Sequence, residues 1–178
     1  MDQMLDNLYQ DGRAPVAEDC IRLRGCFDIA LMDLEGNVLE KKHIDNVVVS
    51  AGRSFVLALI AGTSNQSTQG FGWIEIGTST TAPATTDTTL NGTYTTSVGG
   101  TGRLAAASFA TAGLTSASPP SWQAQVTYAT NQGNTTIGEC GIFNASGYNV
   151  QTMLSHVTFA TISKTTSNTL AISYTISN

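Results

Sequence analysis

Charged side chains are scarce over most of this chain and concentrated near its N-terminus. Residues 1–53 hold 16 of the 21 Lys, Arg, Asp and Glu residues, whereas residues 54–178 hold the other five and all 26 threonines. The net charge of −5 and the lack of a Lys/Arg cluster argue against nucleic-acid binding, which needs several cations to neutralise phosphates. Because Thr, Ser and Ala are less costly to desolvate than charged groups, we interpret residues 54–178 as a body adapted for close packing; the alternative is that Thr reflects its preference for strands.

Long hydrophobic runs are also missing. The longest covers residues 55–61, well short of the roughly 20 residues that a membrane-spanning helix needs, so no membrane partner is expected. The N-terminal segment shows no basic region followed by an apolar run, so we expect no signal peptide and a cytoplasmic origin. The three cysteines, Cys20, Cys26 and Cys140, form no Cys-x-x-Cys pair, and we expect them to be reduced thiols.

What the sequence does contain is a series of short alternating segments separated by turns. Strands are expected at 21–33, 38–44, 47–49, 71–77, 92–98, 102–111, 121–130, 136–143, 150–159 and 168–177. One helix is expected to begin with Ser50 as its N-cap and to end at Gly62. This pattern predicts an all-β, jelly-roll-like antiparallel sandwich over residues 21–178, with one short helix.

Residues 1–20 have a different character and are interpreted as an N-terminal arm. The spacing of Met4, Leu5, Leu8 and Tyr9 is typical of a short amphipathic helix, and Gly12 follows it. We expect these four side chains to form an interface with the body or with a neighbouring subunit.

Residue types that carry catalysis or metal binding are few. His43 and His156 are the only histidines, no Gly-x-Ser-x-Gly motif occurs, and zinc-type spacings are missing. Asp28, Asp33 and Glu35, with Asn37, could offer oxygen ligands to calcium, but their order differs from an EF-hand loop, and we interpret the segment as a solvated hairpin turn. We therefore expect no catalytic residues, no cofactor and no metal, and we interpret both histidines as structural.

Two isolated carboxylates lie in otherwise apolar strands, Glu75 and Glu139. A glycosidase-like acid/base pair is the one enzymatic hypothesis they support, because burial raises the pKa of a carboxyl group. The favoured alternative is structural: one of them pairs with Arg103, or they accept hydrogen bonds from loop amides.

The order of several motifs resembles that of small virion proteins of tailed bacteriophages. The motifs are Asp33-Leu34-Glu35-Gly36-Asn37, then Asp45-Asn46-Val47-Val48-Val49-Ser50-Ala51-Gly52, then Ile74-Glu75-Ile76-Gly77-Thr78 with Thr80-Thr81-Ala82-Pro83 and Asp87-Thr88-Thr89-Leu90, then Glu139-Cys140-Gly141-Ile142-Phe143, and finally Met153-Leu154, Thr158-Phe159, Lys164-Thr165 and Thr169-Leu170-Ala171-Ile172. The likeness covers about residues 27–177 and does not extend to the arm.

The resemblance implies a component of a phage particle, most plainly a capsid decoration (cement) protein that bridges capsid subunits. Its partners would be the major capsid protein or another virion protein and further copies of itself, as a dimer or trimer. It would be assembled in the host cytoplasm and act in the virion. The alternatives are a tail, collar or fibre-attachment protein, or a carbohydrate-binding receptor-recognition module.

Overall fold

The computed structural model describes residues 23–61, 70–93, 102–112, 121–147 and 151–177. They form ten strands and one helix: β1 (Arg24–Met32), β2 (Val38–Asp45), β3 (Val47–Val48), α1 (Ser50–Ile60), β4 (Trp73–Gly77), β5 (Arg103–Ala105), β6 (Ser108–Ala112), β7 (Ser121–Tyr128), β8 (Thr136–Phe143), β9 (Met153–Ser163) and β10 (Thr169–Ser177). The arm, with Met4, Leu5, Leu8 and Tyr9, lies outside the described residues.

The strands form two five-stranded sheets whose paired strands are all antiparallel. Sheet A has the order β2-β1-β10-β7-β6, and sheet B has the order β3-β9-β8-β4-β5. The chain passes from one sheet to the other between β2 and β3, β5 and β6, β7 and β8, and β9 and β10. The predicted all-β antiparallel sandwich with one short helix is therefore confirmed.

The main core lies between the two sheets. Alternate residues of β1 and β10, such as Phe27, Ile29, Ile172 and Tyr174, are fully buried, as the alternation in the sequence predicts. Tyr128 links the layers: its hydroxyl lies 2.9 Å from the carbonyl oxygen of Ile74 and 3.0 Å from that of Gly102. Hydrophobic burial and a satisfied buried hydroxyl together hold sheet A on sheet B.

The helix differs from its prediction at its first turn. Val49, not Ser50, is the N-cap residue, and no side chain caps the helix. The backbone N–H of Ser50 donates to the carbonyl of Thr85 at 2.7 Å, so a neighbouring loop satisfies a donor at the helix start. The predicted end at Gly62 lies outside the described residues, and Ala61 occupies the C-cap position.

Two strand predictions also need correction. The segment 102–111 is not one strand: β5 belongs to sheet B and β6 to sheet A, and the chain crosses over between Ala106, which bonds to Gly72, and Ala107, which bonds to Gln125. Strand β9 continues to Ser163 because it pairs with Thr136 at the far end of β8. The predicted strand 92–98 lies mostly outside the described residues.

Within the part of the chain that the structure describes, no helix is long and apolar enough to cross a membrane.

Candidate functional site

A row of charged side chains crosses the face of sheet B that points away from the core. Arg103 on β5 pairs in register with Glu75 on β4, Glu75 with Gly141 on β8, and Gly141 with His156 on β9. Glu139 lies two residues before Gly141 and therefore shares this face. We call Glu75, Asp87, Arg103, Glu139 and His156 the ionic layer.

Glu139 is the acceptor at the centre of the ionic layer. Its carboxylate accepts hydrogen bonds from the backbone N–H groups of Ser79 (3.3 Å), Asn91 (3.0 Å) and Gly92 (2.5 Å), and it lies 2.9 Å from Nε2 of His156. Burial acts to raise the pKa of Glu139, but these hydrogen bonds outweigh it and lower the pKa. A charged Glu139 thus fixes both ends of the loop that follows β4.

His156 is fully buried between two carboxylates. Its Nδ1 lies 2.8 Å from Asp87 and its Nε2 lies 2.9 Å from Glu139. Burial acts to lower the pKa of His156, yet the two carboxylates raise it above its ordinary value. The ring therefore serves as a cationic bridge that ties β9 to β8 and to the loop carrying Asp87.

Glu75 and Arg103 form the second half of the ionic layer. Nε of Arg103 donates to Glu75 at 2.9 Å and Nη2 donates to the same oxygen, while Nη1 donates to the carbonyls of Ala145 (3.0 Å) and Gly147 (3.3 Å) and to Gln151. The guanidinium also lies 4.0 Å from the centre of the Phe143 ring. Burial raises the pKa of Glu75, and Arg103 offsets part of that effect. Arg103 thereby holds the segment after β8.

Both structural roles proposed for the isolated carboxylates are present. Glu75 pairs with Arg103, and Glu139 accepts from loop amides, so each carboxylate is engaged inside the fold. The pair shares one sheet face, which the glycosidase-like alternative also requires. The expectation that the chain is not an enzyme remains a prediction.

Lys164 completes the set of charges beyond residue 53. It is buried, and its Nζ donates to the carbonyl of Ala129 at 2.8 Å and to Asn134 Oδ1 at 2.9 Å. The other four are Glu75, Arg103 and Glu139, each at most 4% exposed, and Asp87, whose side chain is 17% exposed. The surface formed by residues 54–178 is consequently almost free of exposed charge.

The lack of exposed charge is clearest on one part of the outer face of sheet A, the part formed by β10, β7 and β6. Strands β10, β7 and β6 contain no charged residue. The outward positions of β10 and β7 carry hydroxyls, amides and small side chains, and neighbouring strands are linked by Gln123 to Thr175 (3.0 Å) and Ser108 to Gln125 (3.4 Å). We call the outward residues of β10 and β7, with Ser108 of β6, the uncharged face.

The charged residues of β1, β2 and the turn between them lie at the opposite edge of sheet A from β6. In the β1–β2 turn, Asp33 accepts hydrogen bonds from the backbone and the side chain of Asn37, at 2.7 and 2.9 Å, which gives these oxygens a structural role in the turn. On the strands themselves, Asp28 contacts His43 at 2.9 Å. His43 is thus paired, as expected of a structural histidine, but at an exposed position.

Sequence reasoning identified Glu75, Glu139 and Arg103 but missed the link from His156 to Asp87. The available signal was that His156 is the one histidine beyond residue 53 and lies in an apolar strand, where a polar side chain needs a partner. Their separation along the chain, 69 residues between Asp87 and His156, hid the pairing.

Comparisons with protein families, with curated proteins and with solved structures gave no match.

Proposed function

We propose that this chain is a structural protein of a tailed-bacteriophage virion and, within the particle, a capsid decoration protein that bridges capsid subunits. The observation that carries the proposal is the internal placement of the charges beyond residue 53, which leaves the described surface of that region almost uncharged. Such a surface can be covered by another protein without the cost of burying unpaired ions. The ordered motifs that resemble virion proteins supply the link to a phage particle.

The uncharged face is the surface we assign to the contact with a neighbouring virion subunit. Strands β10, β7 and β6 have 9, 8 and 5 residues, so they are roughly 30, 27 and 17 Å long. At a spacing of about 4.8 Å they offer about 350 Å², whereas a stable interface buries about 800 Å² per partner. One such contact is therefore weak. A dimer or trimer that presents several copies of this face to a repeating lattice gains by avidity.

Stabilisation of the particle then follows from mass action. A protein that binds the mature lattice and not its precursor shifts the equilibrium toward the mature state by an amount set by its affinity and concentration. No catalytic group is required for this activity. Residues 1–20 would extend the contact to an adjacent subunit through Met4, Leu5, Leu8 and Tyr9.

The test is to purify particles of the phage that encodes this chain, identify their proteins by mass spectrometry, and locate the chain by electron cryomicroscopy. We expect regular density on the outside of the head at positions between capsid subunits. Density confined to the tail or collar would replace the decoration role with a tail role. Absence of the chain from the particles would overturn the proposal as a whole.

A further inference from the structure

A cysteine, a carboxylate and a histidine converge on the outer face of β1 and β2. Asp28 and His43 are direct partners in the register, and Cys26 precedes Asp28 by two residues, so all three side chains leave the same face. One ligand atom from each lies within 4.8 Å of the other two. These residues take no part in the ionic layer, which lies in sheet B.

The distances suit a small divalent cation. Zinc–ligand bonds of about 2.0–2.3 Å place tetrahedral ligand atoms about 3.4 Å apart. The His43–Asp28 contact of 2.9 Å would have to open slightly, and the 4.8 Å limit on the separations from Cys26 leaves only a small adjustment by side-chain rotation. The backbone underneath is fixed because β1 is paired along its length with β2 on one side and β10 on the other.

The donor set selects the type of metal. A thiolate, an imidazole and a carboxylate together favour zinc and similar transition metals over calcium or magnesium, which prefer oxygen ligands. Cys26 and Asp28 are half-buried and His43 is exposed, so the site is open on the solvent side. An ion could enter from that side and keep a water molecule as its fourth ligand.

We propose that Cys26, Asp28 and His43 form a zinc-binding site with one coordination position left to water. A cysteine thiol without metal is protonated at neutral pH, because its ordinary pKa is about 8.5. Binding then converts the thiol and Zn²⁺ into a zinc-bound thiolate and one proton released to the buffer, with no change of oxidation state. The proposal is independent of the virion role.

The experiment is a titration of the purified full-length chain with Co²⁺, followed by competition with Zn²⁺ and by calorimetry. We expect one ion per chain, a thiolate-to-cobalt charge-transfer band, and proton release that scales with buffer ionisation. Cys26→Ser and His43→Gln should each weaken binding at least tenfold and, for Cys26→Ser, remove the band.

Cys20→Ser and Asp33→Asn serve as matched controls, since each removes the same kind of group outside the three proposed ligands. Both should bind Co²⁺ with unchanged affinity and spectrum. No band in the unmodified chain, equal affinity in Cys26→Ser, or an equal loss in Cys20→Ser would each overturn the three-ligand site. Circular dichroism of every variant separates loss of binding from loss of folding.

Discussion

At the scale of single residues, Glu139 is the acceptor at the centre of the ionic layer. It is fully buried, and four donors converge on its two oxygens. A neutral replacement of the same shape cannot satisfy them, because an amide offers one acceptor oxygen and presents N–H groups to the remaining donors. The loop after β4 therefore depends on a charge that points away from the main core.

Glu139→Gln is expected to lower the free energy of unfolding by about 3–5 kcal/mol, the range seen when one partner of a buried ionic network is removed. Denaturant unfolding followed by tryptophan fluorescence measures this loss. Glu35→Gln, in the exposed β1–β2 turn, is the matched control and should stay within about 0.5 kcal/mol. Equal effects of the two substitutions would contradict the role assigned to Glu139.

His156 makes the same network sensitive to pH. Because its pKa in the folded chain is raised above the ordinary 6.5, its contribution to stability is complete below 6.5 and is lost as the pH rises through the folded-state pKa. His156→Gln lacks this titration. The gap in unfolding free energy between the native chain and His156→Gln should therefore be widest near about pH 6 and should narrow by about pH 9.

Paired denaturation curves at the two pH values measure that gap, and other titrating groups common to both proteins largely cancel in the difference. A gap that widens with rising pH would mean that the buried ring is neutral at pH 6. That result would remove the cationic bridge between Asp87 and Glu139.

How much of this site the sequence could predict depends on where each partner lies along the chain. Glu75 and Glu139 stood out because a charge in an apolar strand needs a partner, and Arg103 was one of only two cations available beyond residue 53. The sequence could not show which charged groups pair with one another. Asp87 and His156 come together only through the pairing of β9 with β8 and the path of a long loop.

At the scale of elements, the distance between α1 and sheet B depends on one small residue of the helix, Gly52. A Cβ built on Gly52 would lie 2.6 Å from the backbone Cα of Leu154 and 2.7 Å from its carbonyl oxygen. Both are backbone atoms of β9, so the neighbour cannot rotate away, and the helix itself has to move. The contact thus fixes how closely α1 approaches the strand.

Gly52→Ala is expected to destabilise the fold by about 1–3 kcal/mol through this overpacking, although Ala is the better helix former by about 1 kcal/mol. Thermal and chemical unfolding provide the measurement. Gly70→Ala is the matched control because nothing lies within 4 Å of its added Cβ, and it should be close to neutral. A stabilised Gly52→Ala chain would show that helix propensity outweighs the backbone contact.

Elements themselves were predictable where a single rule operates. Alternation located β1, β7 and β10, because each has one face on the core. The crossing between β5 and β6 was not predictable, since the alternation continues through a run of alanines that suits either sheet. The cap of α1 was assigned wrongly because Ser50 has the right chemistry, while the Thr85 carbonyl that bonds its N–H belongs to a distant loop.

At the scale of the whole molecule, the described charges separate into those at the β2–β1 edge of sheet A and the start of α1, and those buried in internal networks beyond residue 53. Among the described residues, the exposed ions lie on β1, β2, their turn and, for Arg53, on α1, and the five charges beyond residue 53 lie in internal networks. The strands that form the uncharged face carry no charge of their own. That face is therefore the place where a single added charge is most informative.

Thr127→Lys places one cation on the uncharged face, at an exposed outward position of β7. If this face contacts a neighbouring virion subunit, desolvating the new ammonium should weaken binding to cognate particles at least tenfold, equivalent to about 1.4 kcal/mol or more. Stability should change by less than about 0.5 kcal/mol because the position is exposed. Co-sedimentation of the purified chain with particles that lack it measures the affinity.

Ser54→Lys is the matched control, since it adds the same charge at an exposed position of α1 beside Arg53, far from the outer face of sheet A. It should bind particles as the native chain does. Equal weakening by both substitutions would indicate a general electrostatic effect, and unchanged binding by Thr127→Lys would move the contact away from this face. Only a loss confined to Thr127→Lys fits a contact made by β10, β7 and β6, because the two variants share net charge and differ only in which surface carries it.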